Sequence, residues 1–94
     1  MSNTYCWAIT RDLLDGTDKG VTGPRGATLS AAEITAHPEA VKFRLLDADG
    51  ELYYTGSAIL PEDASGFEPL EDFGTPNAGC TEIQLFENGR WNTL

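Results

Sequence analysis

The stretch VKFRLLDADGELYYTGSAIL, Val41 to Leu60, decides the fold. Two runs rich in β-branched and aromatic residues flank Asp49-Gly50, the pattern of a β-hairpin. Asp-Gly supplies the two positive-φ residues of a type I′ turn, whose twist suits the strands on either side. That two-residue turn sets Leu45 opposite Tyr54, Phe43 opposite Gly56 and Val41 opposite Ala58, and so builds one apolar face. A three-residue Ala48-Asp49-Gly50 loop would instead oppose Asp47 and Glu51, two like charges, and would mix the faces. The two-residue turn is therefore the expectation. Leu46, Tyr53 and Ile59 then fall on the opposite face.

Toward the C-terminus, Thr81 to Leu94 reads as a second hairpin around Asn88-Gly89, among the best short hairpin signals. Its register pairs Glu87 with Arg90, Phe86 with Trp91 and Ile83 with Leu94. Opposite charges and paired aromatics across a ladder each contribute a few tenths to about 1 kcal/mol. Between the hairpins, residues 61–79 form an irregular acidic arm with helical turns expected at Glu62–Ala64 and Phe67–Phe73. Phe67, Leu70 and Phe73 share one helical face, and Pro69 falls early enough to be tolerated.

Toward the N-terminus, Ser30-Ala31-Ala32-Glu33 fits a capping box that opens a short helix, with Leu29 and Ile34 placed to staple its start. His37 ends it, because a residue before proline is pushed out of the α region. Residues 15–27 hold four glycines, a proline and charges, and read as a mobile surface loop. Thr4 to Leu13 reads as a lone strand, apolar or small on both faces and hence central in its sheet. The sum is a single α+β domain over residues 1–94. A twisted antiparallel sheet of about five strands, from one lone strand and two hairpins, carries one short helix and a capping arm.

Charge bounds the function. Fifteen acids against six bases give a net charge of −9. Between Arg44 and Arg90 stand ten acids and no base, whereas the rest of the chain holds six bases and five acids. Such a field repels nucleic acid and anionic lipid and attracts basic partners. No apolar run approaches the roughly 18 residues of a membrane span. The N-terminus lacks the basic and apolar regions of a signal peptide, so the expected location is cytoplasmic. There, Cys6 and Cys80 are expected as reduced small hydrophobes, a bridge between them requiring the first strand to neighbour the fourth.

No motif names a reaction, and no cofactor is expected. Asp47-Ala48-Asp49-Gly50-Glu51 resembles a calcium loop only superficially: neither frame puts Gly at its sixth and Glu at its twelfth position. The glycine-rich stretch lacks the Gly-Lys-Ser/Thr ending of a phosphate loop and the spacing of a dinucleotide fingerprint. One His and two separated Cys cannot build a zinc tetrahedron. Cys80 with His37, or less well Cys6 with His37, is the only nucleophile–base pair available, and acidic surroundings raise a thiol pKa. Lys42, Arg44, Tyr53 and Trp91 imitate a base-stacking platform, against which the charge argues.

What remains is surface. Both faces of the sheet carry large apolar groups, and one two-turn helix cannot cover both. Where the arm leaves a face open, Tyr53, Phe86 and Trp91 would form an aromatic patch rimmed by Glu62, Asp63, Glu68, Glu71 and Asp72. The reading is thus a small, acidic, non-enzymatic interaction protein binding a partner with a basic surface. A nucleic-acid mimic that inhibits a nucleic-acid-binding protein, such as a phage or mobile-element product, is one alternative. A small Cys-dependent enzyme or ligand-binding domain is another. Self-association through an exposed sheet face stays open.

Overall fold

The computed structural model describes residues 5–24, 28–62 and 64–94. Its centre is one antiparallel sheet of six strands in the order β2-β1-β4-β3-β5-β6. The strands are β1 (Cys6–Asp12), β2 (Thr17–Gly23), β3 (Val41–Leu46), β4 (Leu52–Ile59), β5 (Glu82–Glu87) and β6 (Arg90–Thr93). Three hairpins therefore lie side by side, the first two with their turns at one end of the sheet and the third with its turn at the other. The α+β reading holds, and β1 is interior as its two-sided apolar pattern implies.

The sixth strand corrects the sequence reading. Thr17–Gly23, expected to be loop, pairs along β1 from Trp7↔Gly23 to Asp12↔Thr17. Glycine content concealed it, yet Thr17, Val21 and Thr22 are good strand formers. Two ionic contacts hold the pairing: Arg11 to Asp18 at 2.7 Å, and Lys19 to Asp12 at 3.9 Å. Charges at Asp18 and Lys19 suit an edge strand, where they discourage pairing with another chain. Residues 25–27 of the expected loop lie outside the described residues.

The central hairpin keeps its expected body and changes its tip. Val41↔Ala58, Phe43↔Gly56 and Leu45↔Tyr54 pair as read, but the register then shifts to Leu46↔Leu52. The Asp47 amide donates to the Glu51 carbonyl at 3.0 Å, and the Gly50 amide to the Asp47 carbonyl at 3.0 Å. Gly50 alone in the loop has positive φ, +83°. This is the three-residue Ala48-Asp49-Gly50 loop, reconciled with the body by one bulged residue, Tyr53. Asp47 Oδ1 turns back to accept from the amides of Asp49 and Glu51, each at 2.9 Å. The second hairpin is as read: Asn88 and Gly89 both have positive φ, and Phe86↔Trp91 and Glu87↔Arg90 pair.

The core lies between one sheet face and the arm. Trp7, Ile9, Phe43, Leu45, Tyr54, Ala58, Ile83 and Leu85 pack there with Leu70 of the arm and with Cys80, which follows it. Fully burying each large side chain contributes about 1.5–3 kcal/mol. The arm is π-helical over Leu70–Gly74 and α-helical as α2 over Thr75–Ala78. Phe73 meets Trp7 and Tyr54 edge-on, at centroid distances of 5.6 and 4.9 Å. Leu70 and Phe73 thus face the sheet as expected, whereas Phe67 is 37% exposed.

The opposite face carries α1 (Ala31–Ala36). Its capping box is complete: Glu33 N donates to Ser30 Oγ at 3.1 Å, and Ser30 N to Glu33 Oε1 at 2.9 Å. His37 closes it in an extended conformation before Pro38. Ile34 and Ala8 are fully buried. The helix packs mainly on β1, β4 and β2.

Candidate functional site

Strand alternation divides the residues singled out in the sequence between the two faces. Phe86 and Trp91 stand on the helix-bearing face, beyond the reach of α1, with ring centroids 5.2 Å apart. Phe86 is 39% exposed. The Arg44 guanidinium lies 4.3 Å from the Trp91 ring centroid, while its Nε donates to Gln84 Oε1 at 2.6 Å. Tyr53 does not join this pair. As the bulged residue it packs against the core on the arm side, and Asp47 beside its hydroxyl raises its pKa.

The acidic arm lies across the sheet from the aromatic pair. Two of its carboxylates serve the fold. Asp72 Oδ2 accepts from the Tyr5 hydroxyl at 2.7 Å and from Trp7 Nε1 at 3.0 Å. Glu68 accepts from the amides of Ser65 and Gly66, at 2.9 and 2.8 Å. Burial pushes the Glu68 carboxyl up, but the amides of Glu68 itself, Ser65 and Gly66 outweigh it and hold the pKa below the ordinary range. Glu62 and Glu71 are exposed. Asp63 lies outside the described residues.

The thiols are ill placed for nucleophilic work. Cys80 is fully buried beneath the arm, and both cysteines are free. Burial raises the Cys80 pKa, and the nearby Asp47 charge raises it further; burial also raises that of Cys6. His37 belongs to the other face, where its Nδ1 accepts from the Glu39 amide at 3.0 Å. No cluster of three His, Cys, Asp or Glu converges among the described residues, and none of their helices is long and apolar enough to cross a membrane.

Two features escaped the sequence reading. The first is the end of the sheet where the β1–β2 and β3–β4 turns lie together. The Leu13 amide donates to the Tyr53 carbonyl at 2.8 Å, tying the two turns. Leu13 and Leu14 project from this end, 37% and 55% exposed. Asp15, Asp49 and Glu51 stand exposed on the same two turns. An apolar pair beside Asp15-Gly16 was the available signal, since a turn has no core in which to bury leucine.

The second is a trough of about 260 Å³ on the helix-bearing face. Thr35 of α1 forms one wall and Trp91 the other; Thr10, Thr55 and Ser57 line it, with Lys42 at its edge. Its residues come from β1, β3, β4, β6 and α1, and no local pattern signals such an assembly. No protein-family model, curated protein or solved structure matches this chain.

Proposed function

We propose that this chain is a small cytoplasmic interaction protein that performs no chemistry and docks a partner protein with a basic surface. The observation that carries the reading is the leucine-tipped end of the sheet. Leu13 and Leu14 offer apolar area to water, with Asp49 and Glu51 exposed beside them and Asp15 paired to Lys19 at 3.8 Å. Apolar anchors supply affinity, and a rim of one sign speeds and orients encounter. A complementary partner carries an apolar pocket ringed by Lys or Arg. The net charge of −9 draws such a surface in.

This places the docking residues elsewhere than the composite patch of Tyr53, Phe86, Trp91 and the arm acids. A partner would have to wrap around a sheet edge to touch the aromatic pair and Glu62, Glu71 and Asp72 together. The mimic reading gains no support from the carboxylates, since Asp47, Glu68 and Asp72 are turned toward the chain's own donors.

Comparative capture tests the proposal. The wild-type chain, a Leu13→Ser/Leu14→Ser variant and an Asp49→Asn/Glu51→Gln variant are each immobilised in lysate of the source organism. A protein retained by the wild type is expected to be lost with the leucine variant. With the charge variant it should be retained more weakly, and more so at low salt. Identical retention by all three sinks the assignment.

A further inference from the structure

The trough between α1 and Trp91 does not belong to the docking end, and its chemistry is opposite in sign. Lys42 stands exposed at its edge. Arg11 and Lys19 are paired with Asp18, Asp12 and Asp15. Lys42 makes no ion pair with any described acid, and its ammonium group borders the trough. The Arg44 guanidinium is engaged by Trp91 and Gln84.

The hydroxyls are not equivalent. Thr10 Oγ1 donates to the Thr55 carbonyl at 3.2 Å, and Thr35 Oγ1 donates to the Ala31 carbonyl at 2.8 Å. With their protons committed, these two offer only lone pairs. Donors for an anion reduce to Lys42 and the hydroxyls of Thr55 and Ser57. Trp91 supplies an aromatic wall.

We propose that this trough binds a small organic monocarboxylate with a flat apolar body, its carboxylate against Lys42 and its ring system beside Trp91. The Lys42 ammonium at the trough edge matches one negative charge. A phosphate ester carries greater charge and would meet stronger repulsion from a molecule of net −9. The volume of about 260 Å³ suits one or two rings and falls just below the roughly 300–1,000 Å³ of drug-sized ligand pockets.

The test uses 2-naphthoate as probe, with 2-naphthylmethylamine and inorganic phosphate as matched controls, followed by ¹⁵N NMR on the full chain. The sequence holds two tryptophans, so Trp7, whose Nε1 is engaged by Asp72, is an internal reference for folding. Naphthoate is expected to shift the Trp91 indole N–H and the Thr55 and Ser57 amides saturably, leaving the Trp7 indole in place. Lys42→Gln is expected to weaken binding about tenfold, Lys42→Arg to preserve it, and Trp91→Leu to remove it. Absence of saturation, equal binding of the amine or phosphate, or unchanged affinity in Lys42→Gln overturns the proposal.

Discussion

Asp72 shows how a residue read as surface charge can be part of the fold. Its Oδ2 takes a hydrogen bond from Tyr5 and another from the part-buried indole of Trp7, pinning the arm to β1 over the core. Asp72→Ala leaves the indole N–H without an acceptor and is expected to cost about 1–3 kcal/mol in denaturant unfolding. Asp72→Asn keeps an acceptor oxygen and should cost less. The Tyr5 hydroxyl reports the contact directly. Its hydrogen bond to Asp72, with burial, pushes its pKa up to about 12. An unfolded tyrosine ionises near 10, so the folded state is favoured below that pH, and this contribution is lost as pH rises from about 10 through about 12. Ultraviolet titration should find Tyr5 ionising nearer 10 in either variant; an unchanged midpoint would rule out the contact. Asp47 marks the limit of reading residues by sequence position. Opposition of Asp47 and Glu51 argues against the longer loop only where neither carboxylate has another partner. A short carboxylate can instead bond the amides of its own loop, and that choice depends on backbone geometry that charge patterning does not contain.

Among the elements, legibility followed locality. Asn88-Gly89 specifies its turn by its own φ preferences, and the β5–β6 register was readable to the pair. The capping box of α1 is equally local. Thr17–Gly23 is not legible in isolation, because what makes it a strand is β1 beside it and the ionic contacts of Arg11 and Lys19, neither visible in a stretch rich in glycine. The π-helical turn at Leu70–Gly74 was read only as a helical stretch, since its extra residue answers to the packing of Leu70 and Phe73 on the sheet. The central hairpin separates two roles of glycine. At Gly50 the backbone needs positive φ, and space around it is open. At Gly56 a Cβ would collide with the Ala8 carbonyl oxygen of the adjacent strand and lie 2.7 Å from Phe43 Cζ. Gly50→Ala is therefore expected to cost about 1 kcal/mol through strain alone. Gly56→Ala must push β1 from β4 and is expected to cost about 3 kcal/mol or more. Equal unfolding midpoints for the two variants would contradict this account of the β1–β4 contact.

At the scale of the whole molecule, the sheet works as a partition. Its buried face takes the arm, and α1 covers the β1, β2 and β4 part of its other face. That separation could not be read in advance, because it depends on strand order, and it splits the aromatic pair from the arm acids that composition had joined. Charge crosses the partition, and it has two opposing effects on stability. Mutual repulsion at net −9 disfavours the compact state, and lowering pH toward about 5 relieves it as ordinary carboxylates begin to protonate. The carboxylates of Asp47 and Glu68 act the other way. Backbone amides hold both below their ordinary pKa values, led for Asp47 by the Glu51 amide. A depressed folded pKa contributes stability that is present above the unfolded value and lost as pH falls through the folded one. The stability of the chain should therefore rise slightly from pH 7 to about 5 and fall below about 4. Salt separates the two limbs, because screening weakens dispersed repulsion far more than hydrogen bonds to short-range amide partners. Denaturant midpoints measured across this range at about 0.02 M and 0.5 M salt should show the upper limb flattening while the acid limb persists. If the acid limb vanished in salt, dispersed charge rather than the Asp47 and Glu68 amide contacts would govern the acid stability of the fold.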